Sequence, residues 1–405
     1  MRVLLVNTLY PPPTVGGAER SVRLLARGLA GAGHDVHVAA ASSTPGRVTT
    51  EEEGVTVHRI PLFNAYWPFD PGRRPAHRKL AWHGLDTWNP VMARRLARIV
   101  EATRPDVVHT QNLAGFSVAA WEAVKRLGIP VVHTPRDYYL LCPRNTMYRH
   151  GRACARPCPD CRVYAWGRRR ASAAVDAVVA TSDFLLRLHE WLGYFPGASI
   201  REVVPNADEG PVDGPERPPL AGQDRPVRFG FLGRLEPAKG VEVLLRALHA
   251  VGVPGWEAWI AGRGSPEYLR RLQRLCPSTG VRFVGFVQPG WLLAQIDVLV
   301  VPSLWHEPFG RVVVEAYAHG VPVVAARRGA LPELVEHGRT GWLFDPERPD
   351  ELAALLARIV KDPSCLAPLA RTAARARSRF GVATVTQAHL EIYDRLQSHD
   401  WLRPS

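Results

Sequence analysis

The 405-residue sequence predicts an α/β protein made of two doubly wound domains in tandem. Three observations predict it. Short, wholly apolar strands alternate with amphipathic helices from the first residues onwards, the pattern of a parallel sheet covered on both faces. A Pro- and Gly-rich stretch without apolar periodicity, residues 205–226, interrupts the alternation, and the same alternation then restarts.

Taken in order, residues 2–6 read as a buried strand, 19–30 as a helix with Val22, Leu25 and Leu29 on one face, and 35–40 as the next strand, a βαβ unit. Strands follow at 55–60, 107–110, 131–134 and 177–181, with a helix at 91–102 between two of them. Beyond the linker, strands at 227–232, 257–261, 281–286, 297–302 and 322–325 alternate with helices at 241–251, 266–275, 311–319 and 349–360. The expected domains are therefore 1–204, with a Cys-rich insertion at 142–161, and 227–379.

A chain that is 46% hydrophobic and 22% charged is neither disordered nor fibrous, and no apolar run reaches the roughly 18 residues of a membrane span. The opening strand is too short and lacks the small-residue cleavage site of a secretory leader, so a cytoplasmic location is expected. The formal net charge of +13 is unevenly placed: residues 1–205 hold 27 basic and 16 acidic side chains. Such an imbalance attracts a polyanion or an anionic membrane surface. Arg outnumbers Lys 47 to 4, so part of the excess reflects a compositional preference for Arg on solvated surface.

Ligands of doubly wound sheets lie beyond the carboxyl ends of the strands. After the strand at 227–232 come Gly233, Arg234 and, closing the turn before a helix, Lys239 and Gly240. Cations at the start of a helix become favourable when an anion binds between them and the amides, which points to a diphosphate. After the strand at 297–302, Glu307 precedes a helix and Glu315 lies within it, while the amides of Phe309, Gly310, Arg311 and Val312 are free to hold phosphate oxygens. Carboxylates suit sugar recognition because each oxygen accepts from a neighbouring hydroxyl.

With these residues the sequence resembles the retaining GT-B glycosyltransferases of family 4. The resemblance covers nearly the whole chain: Gly16-Gly17-Ala18-Glu19, Asp106-Val107-Val108-His109, Val203-Val204-Pro205-Asn206, Phe231-Leu232-Gly233-Arg234, Ala261-Gly262-Arg263-Gly264 and the run from Pro302 to Gly341. It implies transfer of a hexose from a UDP- or GDP-linked donor to a saccharide, lipid-linked or small-molecule acceptor, with retention, in making a surface polysaccharide or glycosylated metabolite. It also implies roles for matching residues. Arg234 and Lys239 neutralise the departing diphosphate, Glu307 meets the donor sugar hydroxyls, and Glu315 meets the ribose. Gly16, Gly17 and Gly262 allow close approach of backbone to donor, and the segment 380–405 includes a helix that returns to the first domain. The absence of any Asp-x-Asp triplet agrees with catalysis that needs no metal cofactor.

The sequence departs from the family at Arg136, where many relatives place His before the Asp, here Asp137. Arg is always protonated and only donates, so this position either serves as a donor or meets an anionic sugar or acceptor. His109 ends a strand and is expected at the rim of the site, orienting the acceptor or serving as a structural histidine. Cys142, Cys154, Cys158 and Cys161 have the short spacing of a structural zinc site, with free thiols or a labile pair as the other reading.

Arg73, Arg74, Arg78, Lys79, Arg94, Arg95, Arg98 and Arg104 interleave with Trp67, Trp82 and Trp88, and residues 168–170 add basic charge beside Trp166. Basic residues with Trp suit the inner face of an anionic membrane, peripherally attached. Three other functions compete. A sugar-nucleotide epimerase or a phosphorylase would share the site. A dinucleotide-dependent oxidoreductase would need a Gly-rich turn where residues 7–17 are long and Pro-rich. A nucleic-acid-binding protein would need a binding module that the sequence lacks, so nucleic acid is not an expected partner.

Overall fold

The structure is a computed structural model and describes residues 1–12, 16–70, 72, 74–210, 225–276 and 278–398. The chain divides into two compact units. The first comprises 1–147, 154–207 and the segment from Val382, and the second comprises 148–153 and 208–381.

Among the described residues the first unit holds an eight-stranded sheet. Its strands are β1 (Arg2–Asn7), β2 (Asp35–Ser42), β3 (Val48–Glu52), β4 (Val55–Pro61), β5 (Val107–Thr110), β6 (Val131–His133), β9 (Ala177–Ala180) and β10 (Ile200–Val203). The short antiparallel pair β7 (Tyr148–Arg149) and β8 (Arg152–Ala153) intervenes in the chain. The sheet order is β10-β9-β6-β5-β1-β2-β4-β3, parallel except where β3 pairs antiparallel with β4. Strand order reverses between β1 and β5, so the loops after these strands share the switch point where such sheets bind ligands.

In the second unit, β11 (Val227–Leu232), β12 (Trp256–Ala261), β13 (Val281–Gly285), β14 (Val298–Val301), β15 (Val323–Ala326) and β16 (Gly341–Phe344) form an all-parallel sheet in the order β13-β12-β11-β14-β15-β16. The switch point lies between β11 and β14. Strands β14, β15 and β16 are buried along their whole length, as expected of strands covered on both faces.

The strands and helices that the sequence shows most plainly are those with uninterrupted apolar faces. Val22, Leu25 and Leu29 of helix Gly17–Gly31 are all buried. Strands β3 and β10 escape the apolar pattern because they are edge strands carrying polar and charged residues, Thr49 and Glu51 in one and Arg201 and Glu202 in the other. Helix Val382–Ser398 buries Val385, Ile392, Tyr393 and Leu396 in the core of the first unit.

Three readings of the sequence change. The linker expected at 205–226 begins later: Asn206 belongs to the first unit, Asp208 bridges to Gly381 in the second, and 211–224 lie outside the described residues. Residues 148–153 of the Cys-rich insertion belong to the second unit, where Tyr148 is partly buried. The third concerns the basic and aromatic surface: Arg168 and Trp82 are buried, and Arg73 lies outside the described residues. Arg168 donates to Asp86 at 2.9 Å with both side chains about 1% exposed, and its guanidinium lies 4.0 Å over the Tyr139 ring. Burial pushes the Asp86 carboxyl up to about 6, against the pull of Arg168 and of the Gly115 amide.

Candidate active site

The loops at the switch point of the second sheet are tied together by backbone. The turn Pro237–Lys239 after β11 receives the amides of Leu304 and Trp305 at the Ala238 carbonyl, 2.9 and 3.2 Å away. Gly240, at φ 71°, packs so closely that a Cβ there would stand 1.8 Å from the Pro302 carbonyl oxygen. From β15, Ala330 N donates to the Glu307 carbonyl at 2.9 Å, and a Cβ on Gly329 would meet that oxygen at 2.3 Å. On the other side, Gly262 at φ 149° lies against the Gly233 carbonyl, where a Cβ would stand 1.8 Å away. Only glycine permits these approaches.

This lattice of loops brings Lys239 to Glu307, with Nζ 2.8 Å from Oε1. The Ser303 hydroxyl donates to the same oxygen at 2.6 Å, and the ammonium sits 4.7 Å from the Trp305 ring centroid. Burial alone would raise the Glu307 carboxyl, but Lys239 and Ser303 outweigh it and hold the group below its ordinary value. Arg234 is mostly exposed and pairs with Glu236 at 2.9 Å. It borders a cavity of about 580 Å³ whose walls include Arg263, Tyr268, Arg271 and Arg274.

Helix Arg311–Ala318 opens at Gly310, whose φ of 107° directs the chain out of the loop. Val313 N donates to the Gly310 carbonyl at 2.9 Å, and the start of a helix favours anion oxygens near its amides. Phe309 is buried, Val312 is half-buried, and Arg311 lies 3.4 Å from the buried Glu315 and 3.8 Å from Asp208. Arg234, Lys239, Gly262, Glu307, Phe309, Gly310, Arg311, Val312 and Glu315 therefore all belong to the loops and helix start at the carboxyl end of one sheet.

In the first unit Arg136 follows β6. Its Nε donates to Gln111 Oε1 at 2.7 Å and Nη1 donates to Asn206 Oδ1. Because Arg only donates, the Gln111 oxygen faces it, and the Gln111 amide nitrogen faces His109 Nε2 at 3.0 Å. Nε2 is then an acceptor, and the proton sits on Nδ1, 2.6 Å from the Tyr393 hydroxyl. Thr134 Oγ1 closes the second side at 2.8 Å from Nε2.

His109 takes the structural one of its two expected places. The ring is fully buried, with both nitrogens partnered, and burial among His389, Arg136 and His133 holds it well below its usual range. It is a neutral support for Gln111 and Arg136, not a group at an open rim.

Gly16 is not held by a left-handed backbone. Its φ of −107° suits any residue, and a Cβ would instead strike Glu19 Oε2 at 2.4 Å, because the carboxylate folds back over the helix start. Gly17 is the first residue of that helix. Burial raises Glu19, with Arg136 opposing, and burial followed by the Glu19 charge raises Asp137 to about 6. Glu19 and Asp137 stand in the quoted motifs without an assigned role, as do Asn206 and Ser303; Gln111 falls in none of them. Their polar side chains just beyond strand ends are the signal that could have marked them.

Three of the four clustered cysteines stand close together. Cys158 Sγ lies 3.3 Å from Cys161 Sγ, which is 3.8 Å from Cys142 Sγ, and no disulfide joins any of the six cysteines. Sulfurs around tetrahedral zinc at 2.3 Å would stand about 3.8 Å apart. Among the described residues no group of three or more His, Cys, Asp or Glu side chains is arranged to hold a metal ion. Burial and the neighbouring sulfurs push the Cys161 thiol up to about 12, the direction expected of thiols that hydrogen-bond to one another.

Two family models match the chain: "Glycosyl transferase 4-like domain" over residues 16–207 and "Glycosyl transferases group 1" over residues 226–362. The chain belongs to the group 1 glycosyltransferases. An uncharacterised 42.6 kDa protein from the cps region of Klebsiella pneumoniae is 31% identical over 82% of this glycosyltransferase and 87% of its own length. A D-inositol 3-phosphate glycosyltransferase of Saccharomonospora viridis is 30% identical over 93% and 87%. Among solved structures, sucrose-phosphate synthase from Thermosynechococcus elongatus aligns with a TM-score of 0.77 at 21% identity, covering 98% of each chain. Anabaena Alr3699/HepE in complex with UDP aligns at 0.71 and 22%, covering 98% and 100%. These likenesses establish the GT-B fold of the glycosyltransferase, two Rossmann-like units in one chain.

Proposed function

We propose that this glycosyltransferase moves a hexosyl group from a UDP- or GDP-linked donor to a saccharide or lipid-linked acceptor, with retention and without a metal cofactor. One observation carries the reading: Lys239 and Glu307, from loops after adjacent strands, meet at the switch point of the second sheet beside the start of helix Arg311–Ala318. The ammonium and the helix amides supply positive potential for a diphosphate leaving group, and Arg234 adds an exposed guanidinium. Glu307 and Glu315 then accept from sugar and ribose hydroxyls. UDP is favoured because Anabaena Alr3699/HepE was solved with UDP and with UDP-glucose.

In the first unit Arg136, its guanidinium held by Gln111 and Asn206, presents donors to the transferred sugar or an anionic acceptor. An Arg136→His variant with unchanged rate and donor choice would show that the position is not selective.

The test is a thermal-shift screen of UDP-, GDP- and ADP-sugars, followed by turnover with the stabilising donor in the presence of a chelator and anomeric analysis of the product by NMR. A new glycoside of unchanged anomeric configuration, formed at the same rate with chelator, is expected. Free sugar or sugar phosphate as the product would assign an epimerase or phosphorylase instead, and loss of turnover on chelation would overturn the metal-free mechanism.

A further inference from the structure

In the first unit, helix Pro159–Ala171 carries a basic surface. A hollow of about 320 Å³ lies along it, lined by Arg156, Arg162, Trp166, Arg169, Leu192 and Tyr194. On its floor Tyr194 is buried, its single O–H proton shared between the carbonyls of Leu140 and Ala165, 2.8 and 3.0 Å from the hydroxyl oxygen. Its walls are charged and exposed. Arg156 lies 4.8 Å over the Trp191 ring, Arg162 donates to the Pro157 carbonyl at 3.3 Å, and among the described residues no carboxylate ion-pairs with Arg156, Arg162 or Arg169.

Large apolar side chains surround these guanidiniums. Val163, Trp166 and Trp191 are 74%, 60% and 57% exposed, far more than a folded core tolerates without a partner. The neighbouring helix Ala76–Thr87 packs against this one through His83 and Tyr164, with ring centroids 5.6 Å apart. It adds Leu80, 65% exposed, and the exposed Arg78 and Lys79. Trp and aliphatic side chains beside guanidiniums fit the boundary between headgroups and acyl chains, where the ring enters the apolar layer and the guanidinium takes a phosphate. A soluble anion would explain the arginines but would leave the exposed Trp and Val unaccounted for.

We propose that this face docks the protein on an anionic phospholipid surface, with a lipid phosphate seated in the hollow between Arg156, Arg162 and Arg169. No helix among the described residues is long and apolar enough to cross a membrane, so the attachment is peripheral. The proposal stands independently of the donor chemistry.

The full chain is floated with phosphatidylcholine vesicles and with vesicles also containing phosphatidylglycerol, at low and high salt. Binding to the anionic vesicles only, weakened by salt, is expected. Each surface charge contributes about five-fold to partitioning, so R156E/R162E/R169E should bind at least about one hundred-fold more weakly. All three side chains are exposed, and unchanged thermal melting confirms that the variant folds. The control R94E/R98E/R104E, equal in charge change and also exposed, should lose less than about ten-fold. Equal losses in the two variants, or no preference for anionic vesicles, would overturn the proposal. Trp quenching by inorganic phosphate without flotation would overturn it as well and assign the hollow to a soluble anion.

Discussion

The Lys239 ammonium lies 2.8 Å from the Glu307 carboxylate, joining two loops that are 68 residues apart in sequence. In the ligand-free protein each group neutralises the other, so an incoming diphosphate must compete with Glu307 for the cation. On the proposed function, binding of an anionic leaving group would release a carboxylate for hydrogen bonds to sugar hydroxyls, a coupling that neither residue provides alone.

Lys239→Ala is expected to lower kcat by about 10²–10³-fold, the usual cost of removing one preorganised charge contact in a transition state. It also strands the buried Glu307, so the unfolding free energy from urea titration should fall by about 1–3 kcal/mol. Arg234→Ala provides the contrast. Its side chain is 66% exposed, so stability should stay within about 0.5 kcal/mol while kcat falls. A Lys239→Ala variant of full activity would remove the proposed role.

The pH dependence follows from Glu307. Its folded carboxyl is held below the 4.5 of an ordinary Glu, so its contribution to stability is complete above that value and is lost only as pH falls through the lower folded value. Wild-type and Glu307→Gln stability, compared by urea titration, should differ by a constant amount from neutral pH down to about 5 and converge below 4. A difference that shrinks on raising the pH above neutrality would contradict this sign.

Gly240→Ala should destabilise by at least about 2 kcal/mol, since the new Cβ meets a backbone carbonyl and the φ of 71° disfavours any side chain. Calorimetric melting of the variant checks it. A neutral result would mean that the turn and the loop after β14 are not locked together.

Arg168→Met leaves Asp86 buried without its cation and should cost about 3–5 kcal/mol, whereas the double variant Arg168→Met/Asp86→Leu should recover much of the loss. Urea unfolding of the two variants measures the difference. Because no donor loop is involved, turnover per folded molecule should be unchanged.

Much of the fold was legible in the sequence, for a definite reason. A strand such as β14, Val-Leu-Val-Val, or a helix with Val22, Leu25 and Leu29 on one stripe, declares its own burial through local periodicity. The packing of the loops after β11 and β14 was legible for a related reason: Gly, Lys and Glu at fixed offsets from strand ends encode close approach and charge within a short stretch. Strands β3 and β10 were not, because an edge strand is exposed and need not be apolar.

What the sequence determined by itself was the α/β alternation, the break between its two halves and the residues that meet at the carboxyl end of the second sheet. Tertiary structure alone decided which charges face water. Arg168 and Arg169 are neighbours in sequence, yet one is sealed against Asp86 and the other lines an open hollow. His109 carries the same ring as any exposed histidine, but Gln111, Thr134 and Tyr393 enclose it. The physical reason is that desolvation and pairing depend on atoms brought from distant positions, Asp86 to Arg168 and Tyr393 to His109. Local sequence spacing carries no record of those encounters.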